Sequence, residues 1–235
     1  NLIEAPKIPS TVTSLSRTFQ YCSQLTKTPV IPNGVTNMYG TFAQCSSLIE
    51  SQEIPITVTS LSRTFLDCTS LTEAPTIPSR VIDMTMAFQN CSKLTNPPEI
   101  PVGVVNMERT FALCSSLITI SNIPNTVKNL TSTFEQCSSL EKITIIIHNS
   151  VEKMTRIFNR CPKLCGTITI YANISDIEDE KYILANSNLS ENTTEELEVL
   201  CPEEIYNKYY DENRANKLNV DIFGYSSSNI KLIKI

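Results

Sequence analysis

The chain has 235 residues, 41% of them hydrophobic and 18% charged, with a formal net charge of −5 at pH 7. Such an apolar share predicts a folded, soluble protein, and the longest apolar run, Ile143 to Ile147, is broken by Thr144, followed by His148 and too short to span a bilayer. Charge is unevenly placed, with 13 Lys+Arg against 11 Asp+Glu over residues 1–164 and 6 against 13 over residues 165–235, so the basic stripe of a nucleic-acid binder is missing.

Leu2 to Pro6 (L-I-E-A-P) matches Leu71 to Pro75 (L-T-E-A-P), so the chain opens in mid-repeat and reads as a fragment with any targeting segment upstream. A fixed period then runs through it. Phe19, Phe42, Phe65, Phe88, Phe111 and Phe134 are spaced by 23 residues and Phe158 follows after 24. Three positions after each comes a cysteine: Cys22, Cys45, Cys68, Cys91, Cys114, Cys137 and Cys161. A period of this length marks a solenoid, in which each coil buries its apolar edge against the next.

Within each coil the frame is Val, three on Met or Leu, four on Phe, three on Cys, three on Leu, as in Val35, Met38, Phe42, Cys45 and Leu48. A Pro-x-Ile-Pro element follows, clear at Pro29 to Pro32 and Pro75 to Pro78, with Gln52 and Ser121 replacing its first proline in two coils. The frame predicts a short strand around the Leu to Ile stretch and a turn at Pro-Ser or Pro-Asn. A second extended piece at Val-Thr-x-Met and a helical turn through Thr-Phe-x-x-Cys complete the coil. Strands about 4.8 Å apart make seven coils a rod of roughly 30–35 Å. The phenylalanines should form a buried aromatic spine and the cysteines a second column of buried thiols acting as small hydrophobes.

After Leu164 the period stops, which divides the chain into a solenoid over residues 1–164 and a C-terminal capping region over residues 165–235. Gly166 to Ile174 alternates like a strand. Thr193-Thr194-Glu195-Glu196 has capping-box spacing and predicts a helix carrying Leu197 and Leu200. Pro202 would open a second helix over Glu203 to Tyr210, and Val220 to Tyr225 and Ile230 to Ile235 read as closing strands. The last coil of a solenoid needs such a cap over its exposed edge. Cys165 and Cys201 lie outside the thiol column, and a bridge between them stays open alongside two thiols.

The Val35 to Leu48 segment, V-T-N-M-Y-G-T-F-A-Q-C-S-S-L, resembles the core of the BspA-like leucine-rich-repeat surface proteins, and residues 1–164 carry seven in-register copies. The Pro-x-Ile-Pro linker is a variant spacing. The resemblance implies an α/β solenoid of leucine-rich-repeat type, with coils of about 23 residues, short parallel strands, helical turns and a C-terminal α/β cap. It further implies a place on or outside the cell, in bacteria or some parasitic protists, and a role in adhesion to host or cell-surface proteins.

No catalytic constellation emerges. His148 is the single histidine and substitutes the second proline of the last linker, a structural position. Five glycines offer no phosphate loop, a linear thiol ladder offers no metal cage, and Glu178-Asp179-Glu180 lacks a calcium-loop frame. The expectation is a non-enzyme without cofactor or metal. Arg17, Arg63, Arg109 and Arg156 recur in alternate coils with Gly40, Met86 and Ser132 between them, a row best read as a solvated face. The position two after each Leu gives Lys27, Glu50, Glu73, Asn96, Thr119 and Lys142. This mixed column is the candidate protein-binding face, because unlike side chains suit a protein better than a periodic polymer. The competing reading is a spacer or self-associating shaft that presents another module, which would need only bland repeated residues.

Overall fold

The computed structural model describes residues 2–171, 197–203, 206 and 230–235. Across the described repeats the chain winds into stacked parallel coils. One-residue parallel bridges link the same position of each coil to the next, from Ser14↔Asn37 through Ser60, Asp83, Asn106 and Asn129 to Lys153. These bridges occupy the predicted second extended piece.

The Phe segment is not helical, which corrects the expected helical turn. Amide groups there alternate between two uses. The N–H groups of Arg17, Phe19 and Tyr21 donate across to Tyr39, Thr41 and Ala43 of the next coil at 2.8–2.9 Å. Those of Thr18, Gln20 and Cys22 turn back three residues, to Leu15, Arg17 and Phe19. Such alternation needs the chain to switch hand, and it does so at two fixed columns. Arg17, Gly40, Arg63, Met86, Arg109, Ser132 and Arg156 all have φ of 52–58°. Tyr21, Gln44, Asp67, Asn90, Leu113, Gln136 and Arg160 form the second left-handed column, at 59–65°. Outside glycine this conformation costs about 1–2 kcal/mol per residue, which the rungs between coils must offset.

The prolines decide where true strands appear. In coils whose linker keeps one or both prolines the predicted first strand shrinks to one bridge, Lys27↔Glu50, because each proline removes a ladder donor. Where Ile143-Thr144-Ile145-Ile146-Ile147 replaces the prolines, a full strand forms, β1 (Ile143–Ile147), with Ile143, Ile145 and Ile147 inward. It pairs in parallel with β2 (Gly166–Ile170), then β3 (Leu197–Cys201) and β4 (Ile230–Lys234), in the order β1-β2-β3-β4. His148 takes over the proline's turn: its carbonyl accepts from Val151 N–H at 3.1 Å, as Pro124 does from Val127.

Beyond Leu164 one expectation is corrected. Leu197 and Leu200 lie on strand β3 and not on a helix, because Leu197, Val199 and Cys201 alternate inward and complete β2's ladder in register. Of the two readings open for Cys165 and Cys201, the fold holds thiols, as it does at all nine cysteines. With Thr169 opposite Leu200, Cys201 stands at the far end of the strand pair from Cys165, about 16 Å along it, beyond disulfide reach. Glu203 and Tyr206 are helical, Tyr206 N–H reaching the Pro202 carbonyl at 2.9 Å, and Ile230–Lys234 is a strand as predicted. The expected strand over 220–225 and the capping box at 193–196 lie outside the described residues.

Gly166 holds the first joint of this sheet. Its φ is +106°, and a Cβ there would stand 2.1 Å from the Ile143 carbonyl oxygen. Gly166→Ala is therefore expected to cost about 3 kcal/mol, because β2 must move off β1. Gly34→Ala, whose Cβ would meet nothing nearer than 3.5 Å, is the control and should stay within about 0.5 kcal/mol. Urea midpoints compare the two, and equal values would mean that β2 is not held in this register.

The candidate protein-binding face

Two layers must be separated before any site can be placed: columns that hold the coils together, and columns that face out. The phenylalanines belong to the first. Phe19 to Phe158 stack ring on ring, with centroids 5.4–5.8 Å apart and planes within 14° of parallel. Six such steps give a spine of about 34 Å. None of the seven is more than 5% exposed.

The cysteines beside them do more than fill space. From Cys45 on, each thiol of the column donates to the Phe carbonyl of the preceding coil: Cys45 to Phe19 at 3.1 Å, Cys68 to Phe42 at 3.2 Å, and so on to Cys161 and Phe134 at 3.1 Å. Buried threonines repeat the device one residue before four of the seven Phe residues, with Thr41, Thr64, Thr110 and Thr133 donating to the Leu15, Met38, Met84 and Met107 carbonyls at 2.8–3.0 Å. A small side chain with one weak donor suits this column, since a larger one would not fit and an apolar one would leave the carbonyl with a single donor. Burial pushes the thiols up, Cys114 and Cys161 to about 12 and Cys68, Cys91 and Cys137 well above their ordinary value. Cys22, in the first coil, is only half-buried.

The outward columns tell a different story. Lys27, Glu50, Glu73, Asn96, Thr119 and Lys142 are all exposed and follow one line along the stack. Lys27 and Glu50 are bridge partners, and their side chains form an ion pair at 2.5 Å, more than half exposed on both sides. Exposed pairs of this kind contribute at most about 1 kcal/mol, so the pair orients two side chains without holding the fold. Sequence reasoning missed the neighbouring column. It runs Thr26, Ile49, Thr72, Thr95, Ile118 and Glu141, and the two isoleucines are 49% and 43% exposed. The signal was present in the repeat, as an isoleucine standing where the frame otherwise has a polar residue.

The four arginines fall where expected in the repeat, on the column that must adopt a left-handed backbone. Their side chains are exposed at Arg17, Arg109 and Arg156 and half-buried at Arg63. Among the described residues no three His, Cys, Asp or Glu side chains come together as metal ligands would. No helix among them is long and apolar enough to cross a membrane.

Comparison with known proteins agrees with this geometry. The chain resembles a leucine-rich repeat protein from Bacteroides ovatus ATCC 8483, with a TM-score of 0.54 and 20% identity over 95% of this chain and 64% of that one. It resembles the leucine-rich repeat protein of T. pallidum, TpLRR, with the same score and identity over 67% of this chain and 76% of that one. The chain thus spans about two thirds of the length of the B. ovatus protein, and at this identity the likeness is one of fold. No curated protein sequence matches it. The family model described as "BspA type Leucine rich repeat region" matches in six copies, over residues 2–102 and 85–208. The chain belongs to the BspA-type leucine-rich repeat family.

Proposed function

We propose that this repeat scaffold binds another protein through the exposed column from Lys27 to Lys142, as part of a cell-surface or secreted adhesin. The observation that carries this reading is the makeup of two adjoining exposed columns. One holds both charge signs, an amide and a hydroxyl, and the other adds Ile49 and Ile118. Aliphatic side chains set beside unlike polar groups on a rigid support suit the apolar centre and polar rim of a protein interface. The family's association with bacterial surfaces supports the location. Residues 165–235 then serve as the cap that closes the last coil, with β2, β3 and β4 extending the ladder in register.

The stiff Phe spine supports a second reading, a spacer or self-associating shaft. Capture of host and cell-surface proteins by the purified chain separates the two. Reversing charge at Lys27, Glu73 and Lys142 together should lower capture about tenfold or more. Capture that ignores the three reversals moves the face elsewhere. Concentration-dependent self-association in place of capture would favour the shaft.

A further inference from the structure

On a different face, around the first left-handed column, two guanidinium groups converge on one aromatic ring. Arg17 reaches over Tyr39 from the preceding coil, its Cζ 5.2 Å from the ring centroid. Arg63 reaches the same ring from the following coil, at 5.8 Å. Between them the column holds Gly40, and the absent side chain leaves room for both arginines to lean over the middle coil. The Arg17 Cγ lies 3.4 Å from where a Gly40 Cβ would stand. Hydrogen bonding from Arg17 most of all, with the charge of Arg63 adding to it, holds the Tyr39 phenol below its ordinary pKa.

Two like charges brought to one ring repel each other, and no carboxylate among the described residues pairs with either. Asp67 of the third coil accepts instead from the Asn90 and Gln44 amides at 2.9 and 3.4 Å. Asp83 of the fourth coil is already occupied by the Ser60 hydroxyl at 3.0 Å and by the Thr85 N–H and hydroxyl at 3.0 and 2.6 Å. The arginines at the same repeat position, Arg109 and Arg156, adjoin coils in which Thr85 and Thr131 stand at the position of Tyr39. The cluster is therefore a local departure from the repeat and not a consequence of it.

We propose that Arg17, Tyr39 and Arg63 form an anion clamp that takes a sulfate or phosphate monoester group on a partner. Two guanidinium forks and one phenol hydroxyl supply donors from three successive coils, a set that suits a tetrahedral group with three terminal oxygens better than a flat carboxylate. The site is independent of the Lys27 to Lys142 column, so either can fail without the other.

The test uses the full chain carrying tyrosine labelled with carbon-13 at Cζ, the Tyr39 signal being identified by Tyr39→Phe. Sodium sulfate should shift that signal saturably in the millimolar range and move the phenol titration to higher pH, because the bound anion offsets the guanidinium charge. Arg17→Gln or Arg63→Gln should weaken binding about tenfold, and Arg109→Gln should leave it unchanged. A sulfotyrosine peptide and a sulfated disaccharide distinguish a protein source from a glycan source, and whichever binds more tightly than free sulfate names the class. No saturation, an equal effect from Arg109→Gln, equal binding of acetate, or an adventitious ion only, with neither ester better than free sulfate, would each overturn the proposal.

Discussion

Phe88→Ala is expected to cost about 3–5 kcal/mol, read as a lower urea midpoint. The ring is fully buried, 5.4 Å from Phe65 and 5.7 Å from Phe111, so its removal breaks two stacked pairs and leaves a hole in mid-column. Each stacked pair contributes about 0.5–1.5 kcal/mol beyond the area it buries. The hole cannot close by local settling. The Phe88 N–H is tied to the Thr110 carbonyl at 2.9 Å, and the Phe88 carbonyl accepts the Cys114 thiol at 3.1 Å, so the coil is held from the following side. Phe19, with a single stacked neighbour, should lose less when truncated. Because each coil touches only its neighbours, a mid-stack cavity should also split unfolding into two steps. A loss below about 1 kcal/mol would mean that the ring column does not carry the fold.

Alkaline pH should unfold the chain abruptly. The five thiols from Cys68 to Cys161 are held protonated in the fold, and all have pKa values raised from 9.0. The main cause is desolvation, since a thiolate buried among Phe, Leu and Met loses its water. In the unfolded chain the same thiols ionise near their ordinary value. Below pH 9 both states are protonated and stability does not change on their account. Above it the unfolded chain releases the protons of these five that the native chain keeps, and they alone lower stability by roughly 7 kcal/mol per pH unit. Urea midpoints measured from pH 7 to pH 10.5 should hold level and then collapse. A thiol reagent at pH 8 should modify Cys22 first, with all nine reacting once the chain unfolds. Cys91→Ser should reduce the alkaline slope by about 1.4 kcal/mol per pH unit, the share of one proton. A smooth decline without a break near pH 9 would contradict buried, protonated thiols.

Much of the fold is legible in residue spacing alone. A phenylalanine every 23 residues can be satisfied only by stacking, and its partners Val, Met or Leu, Cys and Leu follow the same period into the core. The outward direction of Lys27, Glu50, Glu73, Asn96, Thr119 and Lys142 is readable for the same reason, since a column that changes identity from coil to coil has no fixed space to fill. The path of the backbone is not readable. The Met/Leu, Phe, Cys, Leu spacing fits a helical face, yet the amides of the Phe segment alternate between the next coil and their own turn. That choice depends on a neighbouring coil offering carbonyls at the right height, which no local window contains. Thr193-Thr194-Glu195-Glu196 misleads about Leu197 and Leu200 in the same way, because an available edge on β2 outweighs a local helix signal.

The period in the chain sufficed to establish the solenoid, its stacked interior and its family, because repetition at a fixed interval has one packing solution. Only the folded molecule decided how that interior is wired and what its surface gathers. The thiol-to-carbonyl rungs, the two left-handed columns and the short joint at Gly166 arise where one coil meets another. So does the meeting of Arg17 and Arg63 over Tyr39. Those residues stand 46 positions apart in the chain and are brought to one ring by two turns of the stack.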